Sequence, residues 1–137
     1  MLQEAEAKQL LEEAFEAEML LLEENFAVYR GSVGRSLKSY SKSKLTSLSR
    51  SVKTDGNLYS AAWEKMQSVV GICVLNEENS MVWVFGSGWM KMNPAIVELH
   101  FRDTQMEITA WAKEGILKQR TAEKAIQMCL TALKLNR

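Results

Sequence analysis

A single histidine, a single proline, two cysteines and a formal net charge of zero mark this 137-residue chain. Each scarcity closes a class of function. Catalytic and metal centres draw on several imidazoles or thiolates, and His100 stands alone. It alternates with Glu98 and Arg102 on what reads as the polar face of a strand. Cys73 and Cys129 are too distant in sequence for a metal-ligand motif. Both lie in apolar runs, as small buried hydrophobes of a reduced chain do. No glycine-rich loop leads into a helix with a phosphate-binding lysine, and no nucleophile elbow occurs. Gly86-Ser-Gly88 passes from a strand into a loop and lacks that pattern. The expectation is a protein that is not an enzyme and uses no cofactor and no metal.

Long apolar runs are missing as well. None approaches the ~20 residues that span a bilayer, so a transmembrane protein is not expected. The start, Met1-Leu-Gln-Glu-Ala-Glu-Ala-Lys8, lacks the basic and apolar stretches of a signal peptide, and the chain reads as cytoplasmic. A net charge of zero argues against nucleic acid held by bulk positive charge.

The zero conceals a segregation. Residues 1–29 carry eight Glu and one Lys, whereas residues 30–53 carry seven Lys or Arg and no acid. The economical account is compensation between these neighbouring stretches, within one chain or between two copies. Arg35, Lys38, Lys42 and Lys44 form the candidate basic patch. Nucleic acid is not the expected partner, because Tyr40 is the one aromatic interleaved there.

Length and an apolar fraction of 47% fit one globular domain. The strongest pattern runs from Ser68 to Lys113. Ser68–Leu75, Met81–Phe85, Ala95–Arg102 and Gln105–Lys113 are rich in β-branched and aromatic residues, with polar turns between them. That predicts an antiparallel meander of four or more strands. In the last two, Ala95, Val97, Leu99 and Phe101, and then Met106, Ile108, Ala110 and Ala112, alternate with polar residues, which predicts one buried and one wetter face. The first two lack alternation and read as central strands, or strands covered on both sides.

Helical sequence flanks the meander. Residues 2–29 are dominated by Ala, Leu, Glu and Met and predict one long helix, ended by Gly31 and Gly34. Residues 33–43 fit helix or strand. Residues 44–53 favour extended structure, with a turn over 54–57 at Asp55-Gly56. Residues 60–67 fit a short helix with Ser60 as N-cap and equally fit the continuation of a strand begun at Leu58. A last helix, from Ile116 or Thr121 to Leu135, presents Ala122, Ala125, Ile126, Cys129, Leu130 and Leu133 on one side. The fold class is α+β: a long N-terminal helix, an antiparallel β-meander and a C-terminal helix packed on one sheet face. It divides as an acidic helix 1–30, a basic serine-rich segment 31–57, a sheet region 58–115 and a C-terminal helix 116–137.

Two apolar features suggest surfaces. Trp83, Phe85, Trp89, Met90 and Met92 crowd one strand and the loop after it, and Trp111 stands on the nominally polar side of its strand. Trp and Met are favoured at adaptable interfaces, so these six form the candidate binding surface. Leu11, Phe15, Leu21 and Leu22 form a candidate dimer stripe on the first helix, which is long for so small a domain. The expected function is a homodimeric protein-interaction module that holds a partner polypeptide on its sheet face and Trp/Met loop. The alternative is a carrier of a small apolar ligand or lipid in a pocket between sheet and helix.

Overall fold

The computed structural model describes residues 2–25, 31, 33–69, 71–85, 93–114 and 120–135. Its elements run α1 (Glu4–Asn25), α2 (Val33–Lys42), β1 (Lys44–Lys53), α3 (Tyr59–Met66), β2 (Ile72–Glu77), β3 (Ser80–Phe85), β4 (Ala95–Phe101), β5 (Gln105–Glu114) and α4 (Thr121–Ala132). The α+β architecture is as expected: a long first helix, an antiparallel sheet and a C-terminal helix on it. Five antiparallel strands lie in the order β1-β5-β4-β3-β2. Strands β2 to β5 are consecutive neighbours. Strand β1 joins at the far side, against β5, so the two edges are β1 and β2.

The basic segment resolves into helix and then strand. Residues 44–53 are extended, as predicted, and the turn after them holds Gly56 at φ +89°, a backbone state that glycine adopts without strain. Asp55-Gly56 leads into a helix, not into a second hairpin strand. That helix starts at Tyr59, whose backbone N–H donates to Asn57 Oδ1 at 2.9 Å. Ser60 therefore sits inside the first turn, and the cap expected of it comes from Asn57. The first helix runs over Glu4–Asn25, 22 residues, and the rest of the predicted span to residue 29 lies outside the described residues.

Each face of the sheet has a helical cover. Helices α3 and α4 close one face over Met81, Trp83, Phe85, Val97, Leu99 and Ile108, all buried. Gly71 belongs to this packing, since a Cβ there would lie 2.5 Å from the Phe85 ring. Cys129 is fully buried on α4, and burial pushes its thiol up to about 12. On the opposite face, Ala7 and Leu11 of α1 and Tyr40 of α2 pack on Val82, Val84, Ile96 and Trp111. The molecule is a sheet between two helical layers.

That second cover corrects the face expected to be wetter. Glu98, Thr109, Trp111 and Lys113 alternate with the core residues of β4 and β5, yet all four are buried. Their polar groups are matched by partners from the helical layer, from Ser49 of β1 and from each other. Leu2 N–H donates to Glu98 Oε1 at 2.7 Å, and Trp111 Nε1–H donates to Glu98 Oε2 at 2.6 Å. Lys113 Nζ donates to Ser41 O at 2.8 Å, pairs with Glu12 Oε1 at 3.2 Å and stands 5.1 Å from the centre of the Tyr40 ring. A buried charge survives only when paired and hydrogen-bonded in this way. His100 is half-buried, with Nε2 3.6 Å from Glu98 Oε1.

The strands predicted to be central divide. Strand β3 is buried along Met81–Phe85 and is covered on both faces. Strand β2 is an edge, begins at Ile72 and not Ser68, and is largely exposed. An apolar run alone does not say where in a sheet its strand will stand.

Candidate functional site

Among the residues chosen for a binding surface, Trp83, Phe85 and Trp111 are core residues. Trp83 is buried beneath α3, its ring 5.9 Å from that of Trp63, and Phe85 is fully enclosed. Trp111 lies under α1 with its indole spent on Glu98. Trp89, Met90 and Met92 fall outside the described residues. The central sheet face is thus unavailable to a partner, because both sides of β3, β4 and β5 are already covered.

The stripe expected on the first helix is split. Leu11 is buried, and Phe15 stacks on Tyr40 with ring centres 4.2 Å apart. Leu22 is half-buried, whereas Leu21 is 53% exposed and its neighbour Leu20 is 51% exposed. The first half of α1 is core, and the second half offers apolar side chains to solvent.

Arg35, Lys38, Lys42 and Lys44 are all exposed. Arg35 lines a surface pocket of about 560 Å³ with Phe15, Ser36, Ser39 and Asn93. No ion pair joins residues 33–53 to α1 among the described residues, so the two stretches of opposite charge do not pair directly there. Glu12 of α1 is taken by Lys113 of β5, and Arg50 pairs with Glu123 of α4.

The most exposed apolar residues belong to β2, which sequence reasoning placed in the interior. Ile72 is 70% exposed, Val74 46% and Leu75 40%. Ile72 lies opposite Val84 and Leu75 opposite Val82, with a register shift between Cys73 and Leu75. Val74 is the extra residue of that bulge, and the bulge puts Ile72 and Leu75 on one face although they are three apart. That face continues the one α1 covers over β3 and β4. The other edge differs in kind. Strand β1 exposes Lys44, Ser47, Ser49, Arg50, Ser51 and Lys53, the charged and polar residues that discourage strand addition. The signal that could have found β2 is this contrast between two edges, and it needs the strand order.

A carrier would call for an apolar pocket between sheet and helix. The crevice between β1 and α4, about 340 Å³, is lined by Lys44, Glu114, Arg120 and Glu123 beside Thr46 and Leu48. A more apolar groove, about 440 Å³, lies along α4 at Val69, Met128 and Ala132. No helix among the described residues is long and apolar enough to cross a membrane. No protein-family model, curated protein or solved structure shows significant similarity to the chain.

Proposed function

We propose that this chain is a non-enzymatic protein-interaction module, homodimeric, which takes an extended segment of a partner polypeptide along the outer edge of β2. One observation carries the proposal: an edge strand with Ile72, Val74 and Leu75 exposed, in a sheet whose other edge exposes mostly charged and polar residues. An edge strand presents unpaired N–H and C=O groups, and an added strand gains main-chain hydrogen bonds together with apolar contacts. The partner segment is accordingly extended and apolar at alternate positions, so that its side chains meet Ile72 and Leu75. The expected setting is cytoplasmic, where both thiols stay reduced.

The test is selection of a random phage-displayed peptide library on the purified protein. Selected peptides should be rich in Val, Ile and aromatic residues at alternate positions, and should shift backbone NMR signals of residues 71–77. They should lose binding to I72K and to V74K while both variants keep the wild-type melting temperature. Peptides mapping to β1 or α4, or no enrichment at all, would overturn the proposal.

A further inference from the structure

The helical layer made by α1 and α2 carries two ridges of opposite sign. At 3.6 residues per turn, Glu13, Glu16, Leu20 and Glu24 fall on the arc of α1 opposite the buried Ala7 and Leu11, and all four are exposed. On α2, Arg35, Lys38 and Lys42 fall within roughly 60° of one another, away from the buried Tyr40, and all three are exposed. The helices pack against each other, with Phe15 of α1 stacked on Tyr40 of α2. An acidic ridge and a basic ridge therefore run side by side on one outer surface.

Unlike charges in one molecule would be expected to close on each other, and among the described residues these do not. The buried Lys113 has taken Glu12, Glu18 is half-buried on the inner arc of α1, and Glu13, Glu16 and Glu24 point outward. A free anion is a poor occupant of the α2 ridge, because the acids of α1 stand beside it and offset its field. A second copy is a good one. Two adjacent stripes of opposite sign are self-complementary under a twofold axis: a half-turn brings each acidic stripe onto the partner's basic stripe, twice over.

We infer that the α1–α2 layer is the surface on which two copies of this chain associate, with α1 of each protomer facing α2 of the other. This rests on the proposal that the protein is a homodimer and assigns the contact. Leu20, within the acidic ridge and more than half exposed, adds apolar area to this contact.

The test uses charge swaps on the full chain, followed by sedimentation velocity, with circular dichroism to show that each variant folds. Reversal of α2 alone (R35E, K38E, K42E) and of α1 alone (E13K, E16K, E24K) should each weaken self-association at least about tenfold, because like charges now face each other. Mixing the two single-ridge variants should restore a dimer, since every facing pair is again opposite. A chain carrying both reversals should pair with itself and reject the wild type. Association of the wild type should weaken as salt is raised. Dimers that survive either single reversal would overturn the α1–α2 contact and leave the homodimer in place at another surface. A wild type that stays monomeric at high concentration would overturn both.

Discussion

The indole N–H of Trp111 on β5 donates to Oε2 of Glu98 on the neighbouring β4 at 2.6 Å, beneath α1. The other carboxylate oxygen accepts the Leu2 backbone N–H at 2.7 Å, so one buried acid holds the sheet to the start of the helical layer. Replacing Trp111 by Phe removes the donor and keeps most of the apolar bulk. The buried carboxylate then loses a partner, and the expected loss of stability is about 1–3 kcal/mol in urea unfolding. The double variant Trp111→Phe/Glu98→Gln should lose less than the sum of the two single variants. Additive losses would show that the two side chains do not act as a pair.

Lys113 gives a second, sharper test of the same layer. Its ammonium is 1% exposed and rests on Glu12 and Ser41 O. Glu12→Gln leaves that buried cation without its counter-charge and should cost about 3–5 kcal/mol. Lys113→Met in the same chain should recover much of the loss, because the uncompensated charge is gone. Equal stability of the single and double variants would contradict the placement of Lys113.

Tyr40 behaves in the opposite sense. Its hydroxyl is buried with no hydrogen-bond partner among the described residues, and desolvation, helped by Glu12 and Glu114, raises its pKa well above the ordinary tyrosine value. The unfolded chain therefore ionises first as pH climbs past about 10. The stability Tyr40 contributes is complete below that point and falls above it. Tyr40→Phe should be neutral or slightly stabilising at pH 7, and should reduce the alkaline loss measured by thermal unfolding. A large loss at neutral pH would mean the hydroxyl has a partner after all.

The thiols report burial directly. Cys129 is fully enclosed on α4, with its pKa pushed up to about 12, whereas Cys73 on the β2 edge is half-buried. Burial raises the Cys73 pKa too, though backbone hydrogen bonds from the region of Leu75 and Val82 counter it. An aromatic disulfide reagent should titrate one thiol in the native protein and two after denaturation. Fast reaction of both would mean that α4 does not stay on the sheet.

Gly71 offers a check on the entry to β2. Alanine there would place its Cβ 2.5 Å from a Phe85 ring that is itself fully buried. Gly71→Ala should cost about 1–3 kcal/mol through overpacking. Gly71→Ala with Phe85→Leu should recover part of that, and no loss in the single variant would contradict the close approach.

Much of this architecture was legible in the residues. The β-branched and aromatic runs mark β3, β4 and β5, the stripe Ala122–Leu133 marks α4, and the extended structure expected over residues 44–53 is β1. Burial of the second face was not legible. Glu98 and Lys113 look like solvent-facing residues in any local window, and they are buried because Leu2, Glu12 and Ser41 arrive from distant parts of the chain. Three residues of the candidate surface are buried for the same reason in reverse. Trp83, Phe85 and Trp111 are rich contact residues, and the fold spends them internally, while Ile72, Val74 and Leu75 look like core and stand on an edge. Strand order decides which apolar run is left outside, and no single strand encodes it.

Native mass spectrometry of the freshly purified protein, with the denatured mass as control, decides whether the chain is a homodimeric interaction module. A bare dimer at twice the 15.5 kDa chain mass is the expected species. A monomer carrying extra mass that is lost on denaturation would contradict it and identify a ligand carrier instead.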